Sequence, residues 1–169
     1  WDRALEVNLR GTLNCLIFSA RIFERQQYGN FIGLSGGGAT TPMPRIAAYA
    51  ASKTAVVRLI ESVANEYLDT KITFNSVAPG LLNTQMLDMA IEAGPEILGE
   101  SFYNKMQLAK ETGSDSMDKA FKLIEYLLNR NTNYITGRLV SAVWDNWKVL
   151  FESKNYLNSE DLHTLRRKI

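Results

Sequence analysis

The sequence predicts an α/β fold: a parallel sheet of three strands, doubly wound, with helices on both faces and a helical tail. Two observations carry this. Short apolar runs alternate with helical patterns of ten or more residues, which is the pattern of right-handed βαβ units. The first of those runs, near Phe31, would also leave an open sheet edge, and proteins normally cover an apolar unpaired edge. That edge, and a chain that opens "WDRALEVNLRG" already in helical periodicity, predict that the chain begins within a domain and carries its second half.

The elements follow in order. Leu5, Leu9, Leu13, Leu16, Ile17 and Ala20 recur at helix spacing, predicting a core helix to about Glu24. "QQYGN" is a turn, and "FIGLS" (Phe31 to Ser35) is a buried strand. After the loop "GGGATTPMP", a helix spans Ile46 to Leu68 on the stripe Val56, Leu59, Ile60, Val63 and Ala64. "KITFNSVA" is the second strand and ends at Pro79 and Gly80, and Thr84 is the N-cap of a short helix through "QMLDMAIEA". Residues 94–113 lack a firm period and are expected to form a mobile helical lid. "SDSMDKAFKLIEYLLNR" is a capped helix, and "ITGRLVSAV" is the third strand. The domain is expected to run over residues 1–143, with 144–169 as the tail.

Composition narrows the function. Lysine plus arginine (19) nearly balance aspartate plus glutamate (18), and no basic block is interleaved with aromatics, so nucleic acid is not an expected partner. No apolar run approaches the roughly 18 residues of a bilayer span, so no membrane is expected either. One cysteine, Cys15, excludes an internal disulfide and a cysteine-cluster metal site, and fits a reducing compartment, with the cytoplasm as the expected location. Cys15 lies in an apolar helical stretch and is expected to be packed.

The residues that carry chemistry gather by topology. Tyr49 and Lys53, in "YAASK", lie four apart and share a helix face. An ammonium beside a phenol favours the phenolate, so the pair is a candidate acid/base. Taken alone, the spacing fits an ordinary amphipathic helix better than an active site. Ligands of open α/β sheets, however, bind beyond the carboxyl ends of the strands. There Ser35 ends the first strand, Pro79 and Gly80 end the second, and Tyr49 begins the intervening helix.

With Asn8 in "VNLRG", Ser35 after "FIGL", "YAASK", and "NSVAPGLLNT" (Asn75 to Thr84), the chain from Trp1 to about Val143 resembles the second half of a classical short-chain dehydrogenase/reductase with its Rossmann-like sheet. The resemblance implies an NAD- or NADP-dependent oxidoreductase interconverting an alcohol and a ketone or aldehyde. It implies that Tyr49 is the acid/base, that Lys53 lowers the Tyr49 pKa and binds the nicotinamide ribose, that Ser35 holds the substrate oxygen, and that Asn8 anchors a proton-relaying water chain. Pro79, Gly80, Leu82 and Thr84 would meet the nicotinamide, with backbone donors at a helix N-terminus. A homodimer or homotetramer, paired through the helices at Asp2 to Glu24 and Ile46 to Leu68, is implied too.

The sequence departs from the family at three places. Its glycine-rich TGxxxGxG turn is absent, so the chain holds the catalytic residues without the pyrophosphate cradle, and a non-catalytic binding or assembly module is the alternative reading. Ser35 to Tyr49 is one residue longer than usual, an excess that a glycine looping outward would absorb. "SAVWDNW" replaces a short terminal strand, and Trp144 and Trp147 are expected to pack the tail onto the core in preference to capping the site. His163 is expected at the surface without chemistry. Met86, Met89 and Met106 suit either an apolar substrate wall or ordinary core.

Overall fold

Three parallel strands, β1 (Gly29–Leu34), β2 (Ile72–Ala78) and β3 (Leu139–Ser141), form one sheet in the order β1-β2-β3. This computed structural model describes residues 1–132, 134–152 and 161–166. Two helices lead into β1: α1 (Asp2–Ala4) and α2 (Gly11–Gln26), joined without a break by a π-helical segment, Leu5–Arg10. α3 (Ala47–Glu66) crosses from β1 to β2; α4 (Gln85–Leu98), α5 (Glu100–Thr112) and α6 (Met117–Leu128) cross from β2 to β3, and α7 (Trp147–Glu152) follows.

Register explains the two faces. Phe31 pairs with Phe74 and Leu34 with Val77, and successive side chains of a strand alternate between faces. Phe74 and Ile72 therefore meet Leu16, Ala20, Val56, Ile60 and Ala64 of α2 and α3 on one side. Val77 points the other way, into Leu123, Leu127, Val140, Trp147 and Phe151. β2 is central, and all its residues from Ile72 to Val77 are buried. Its Asn75 is fully engaged: the amide donates to the Ile135 carbonyl at 2.7 Å and its oxygen accepts from the Arg138 N–H at 3.1 Å, whereas the buried Ser76 hydroxyl has no partner among the described residues. The Asn75 side chain joins β2 to the chain entering β3.

Several expectations are corrected. The third strand is three residues long, because Ile135 is buried in the core cluster of α6 while the ladder to β2 begins only at Ser76–Leu139. The helical expectation for residues 94–113 holds, the segment forming the end of α4 and all of α5, with breaks at Gly94 (φ 76°), just ahead of Pro95, and at Gly99 between the two helices. The added glycine does not loop outward: Gly37–Ala39 close a 3₁₀ turn with Gly38 buried against Ala50. Cys15 is exposed, because the buried stripe of α2 runs through Leu16 and Ala20. Trp147 packs on Tyr126 at 5.2 Å as expected, but Trp144 is 85% exposed, lying in the turn after β3. His163 is largely covered, 3.3 Å from Asp145, and its carbonyl accepts from the Leu139 N–H at 2.7 Å. Residues 161–166 thus lie along β3, while the polar helix expected for the tail falls largely outside the described residues. Met106 is buried, whereas Met86 and Met89 are each 60% exposed on α4.

Candidate active site

β1 ends at Leu34, so Ser35 leaves the sheet at the rim where β2 also ends. The Ser35 N–H still donates to the Val77 carbonyl at 2.8 Å, which holds it beside Ala78 and Pro79. Its side chain is buried and its hydroxyl has no hydrogen-bond partner among the described residues. An unpartnered buried hydroxyl costs about 1–3 kcal/mol, so sites of this kind call for an explanation.

α3 brings Tyr49 to the same rim. The contact is tight at Gly36, where a Cβ would lie 2.5 Å from the Tyr49 hydroxyl. The residue after Ser35 must therefore lack a side chain for the phenol to reach this position. One turn on, the Lys53 ammonium donates to the Leu34 carbonyl at 3.0 Å and sits 5.9 Å from the Tyr49 ring centre. The lysine is thus fixed to the end of β1 itself.

Burial sets the electrostatics. It pushes the Tyr49 phenol above its usual value and the Lys53 ammonium below its own. In each case burial disfavours the charged form. The chain alone favours a neutral tyrosine, the form that can give up a proton.

Asn8 arrives from the π-helical segment, a kind of irregularity that recurs at functional sites. Its amide donates to the Ser52 hydroxyl at 2.9 Å, and Ser52, fully buried, donates to the Tyr49 carbonyl at 2.7 Å. Asn8 is thereby tied to the turn of α3 that carries Tyr49. Ser52 was not singled out in the sequence, since a serine at an alanine-rich helix position gives no signal of its long-range partner.

The turn after β2 completes the rim. Gly80 has φ 96°, a left-handed conformation that favours glycine. Asp115, also unheralded in the sequence, clamps the next residue: its carboxylate accepts from the Leu81 N–H at 2.7 Å, and its own N–H donates to the Leu81 carbonyl at 2.8 Å. Leu82 and Thr84 are half-buried beyond the clamp. Thr84 is at the N-cap of α4, yet its side chain makes no capping bond, so its hydroxyl is not committed to the helix. The structure thus brings Ser35, Tyr49, Lys53, Pro79 and Gly80 to one rim, with Asn8 behind Tyr49.

An open groove of about 810 Å³ lies elsewhere, between the Ala39–Thr40 turn, α3 and residues 164–166. None of the rim residues lines it, and its arginines Arg58 and Arg166 are both engaged by the buried Glu61 carboxylate. The groove is therefore not the place for the chemistry of the rim.

Fold and rim together define an α/β chain with polar groups at the carboxyl ends of parallel strands, and comparison with known proteins gives its family. Residues 1–93 match the family model for short chain dehydrogenase. The chain belongs to the short-chain dehydrogenase/reductase family. It is 33% identical over 140 residues to the 3-oxoacyl-[acyl-carrier-protein] reductase FabG of Staphylococcus aureus, which covers 83% of this chain and 54% of that protein. A short-chain type dehydrogenase/reductase of Picea abies is 38% identical over 99 residues, covering 56% of this chain and 36% of that one. Among solved structures, levodione reductase superposes with a TM-score of 0.71 at 24% identity, over 83% of this chain and 55% of its own. Acetoin dehydrogenase from Enterobacter cloacae does so at 0.63 and 26% identity, over 84% and 54%. The chain spans about half the length of the curated relatives it matches.

Proposed function

We propose that this chain carries the catalytic half of an NAD(P)(H)-dependent oxidoreductase that interconverts an alcohol and a ketone or aldehyde. The observation that carries the reading is the approach of the Tyr49 hydroxyl to Gly36, next in the chain to Ser35, whose buried hydroxyl has no partner among the described residues. A substrate oxygen seated between the two hydroxyls satisfies Ser35 and lies within reach of the phenol proton.

The rim fits a nicotinamide. Lys53, at the end of β1, would hold the ribose, and the Pro79–Thr84 turn, with Gly80 in its left-handed conformation and Leu81 pinned by Asp115, would hold the ring through Leu82 and Thr84. When bound, NAD(P)H supplies a hydride to the carbonyl carbon. In that direction the substrate oxygen gains charge; the Ser35 hydroxyl donates to it, and Tyr49 transfers its phenolic proton, closing the alcohol O–H bond. The Lys53 ammonium then steadies the Tyr49 phenolate, and Asn8 anchors the water chain that returns the proton. Alcohol oxidation runs the same transfers backward, with Tyr49 as base.

The partner on this reading is a second copy of the chain. Val7, Phe18 and Ile22 leave an apolar face open along α2 and the π segment, 65%, 66% and 50% exposed, and such faces support self-association.

The test uses the protein at its native length. Tyr49→Phe keeps the ring and removes the proton, so nucleotide affinity stays within about threefold while turnover falls at least about 10²-fold. Wild-type turnover in this variant would refute the assignment.

A further inference from the structure

The geometry points to Arg45 as a latch that fixes the elbow between α4 and α5 to the loop that leads into α3, the helix carrying Tyr49. Arg45 lies four residues before Tyr49, and its Nη1 donates to the Glu96 carbonyl at 2.5 Å. That carbonyl belongs to the last turn of α4, where carbonyls lack helical partners and a cation is favoured by the helix dipole. Arg45 thus caps a helix it does not belong to.

Three further features converge on the contact. Arg45 has φ 68°, a left-handed conformation that a residue with a long side chain adopts when its surroundings hold it there. On the elbow side, Gly99 leaves the space that the guanidinium stem uses: a Cβ there would lie 3.3 Å from both Cδ and Nε of Arg45. Gly94 and Gly99, both at positive φ, bracket the elbow, so the segment between them has a hinge at each end and the latch in its middle. Closing the contact ties the elbow to the loop that enters α3; releasing it leaves α4 and α5 joined through Lys110 and Asp88 but frees the elbow from that loop. Because the same loop leads to Tyr49, Arg45 is a positioning residue, and its effect on substrate rests on the oxidoreductase reading, whereas the latch itself does not.

Hydrogen–deuterium exchange separates the two. Arg45→Ala is expected to speed exchange in the peptide spanning residues 94–103 by roughly three- to tenfold, the loss of one exposed, charge-assisted bond, and to leave β2 and α6 unchanged. Arg45→Lys restores part of the protection. Glu96→Gln leaves it intact, since only the backbone oxygen is used. Unchanged exchange at 94–103 in Arg45→Ala, with an unchanged circular dichroism spectrum, overturns the latch; equal deprotection in Glu96→Gln overturns the carbonyl contact in favour of a side-chain pair. In the protein at native length, Arg45→Ala raises KM more than it lowers kcat. An exchange change without that split keeps the latch and refutes its role toward substrate, and no turnover even in the unsubstituted protein would count against the reaction while the exchange result still stands.

Discussion

Gly36→Ala probes the approach of the Tyr49 hydroxyl to Gly36, the neighbour of Ser35, with a single methyl group. Gly36 has φ −175° and ψ 172°, extended backbone that alanine adopts freely, so the change carries no backbone strain. Its whole effect is steric: the new Cβ would stand 2.5 Å from the Tyr49 hydroxyl. Ordinary contact distances require the phenol to retreat by about 1 Å. Tyr49 is half-buried and can move, which puts the stability cost at the low end of overpacking, about 1 kcal/mol, or about 2–4 °C in Tm for a chain of this size. A proton donor displaced by about 1 Å loses on the order of 10²-fold in rate. Thermal melts and turnover at native length check both numbers, and the double variant with Tyr49→Phe supplies the control. Removing the hydroxyl removes the clash, so the stability lost in Gly36→Ala returns in Gly36→Ala/Tyr49→Phe. Wild-type turnover and Tm in Gly36→Ala would refute the geometry, as would a double variant no more stable than the single one.

Two further outcomes test what surrounds the pair. Ser52→Ala removes the group that accepts from Asn8 and donates to the Tyr49 carbonyl, and is expected to cost about 1–3 kcal/mol in denaturant melts, because a partly buried amide is left without its partner. In the absence of nucleotide the Tyr49 phenol titrates above its ordinary 10.0, because burial favours the neutral form. The stability held by that neutral phenol is complete below pH 10 and is lost as pH rises through the raised value. Ultraviolet difference titration of wild type against Tyr49→Phe reads it, and a tyrosine ionising below 10 would contradict the burial argument.

The sheet and the rim were legible in the sequence because both follow from local pattern. Apolar runs between amphipathic helices force parallel strands, and parallel strands put Ser35, Pro79 and Gly80 at one end. The spacing of Tyr49 and Lys53 needed only helix geometry. What escaped depends on partners far along the chain. The π-helical turn at Asn8 has no local signature, and Ser52, 44 residues away, holds its side chain. Asp115 meets Leu81 across 34 residues. His163 reads as a solvated tail residue until Asp145 and β3 are set beside it. Cys15 shows the limit of periodicity: an apolar stretch of α2 is apolar around more than one face, and burial selects only Leu16 and Ala20. The burial of Tyr49 and Lys53 was hidden for a related reason, since spacing brings the two groups near but says nothing of the desolvation both undergo.

The central claim is proton delivery by Tyr49 to a carbonyl that receives hydride, and the most direct measurement is isotope transfer in the protein at native length. With NADPH or NADH deuterated at C4 and a panel of ketones and aldehydes, the account predicts deuterium on the carbinol carbon of the product alcohol for the wild-type protein. Tyr49→Phe binds the same nucleotide and yields at most about one-hundredth of that product. Nucleotide bound without any deuterium transfer, or equal transfer by Tyr49→Phe, would contradict the account.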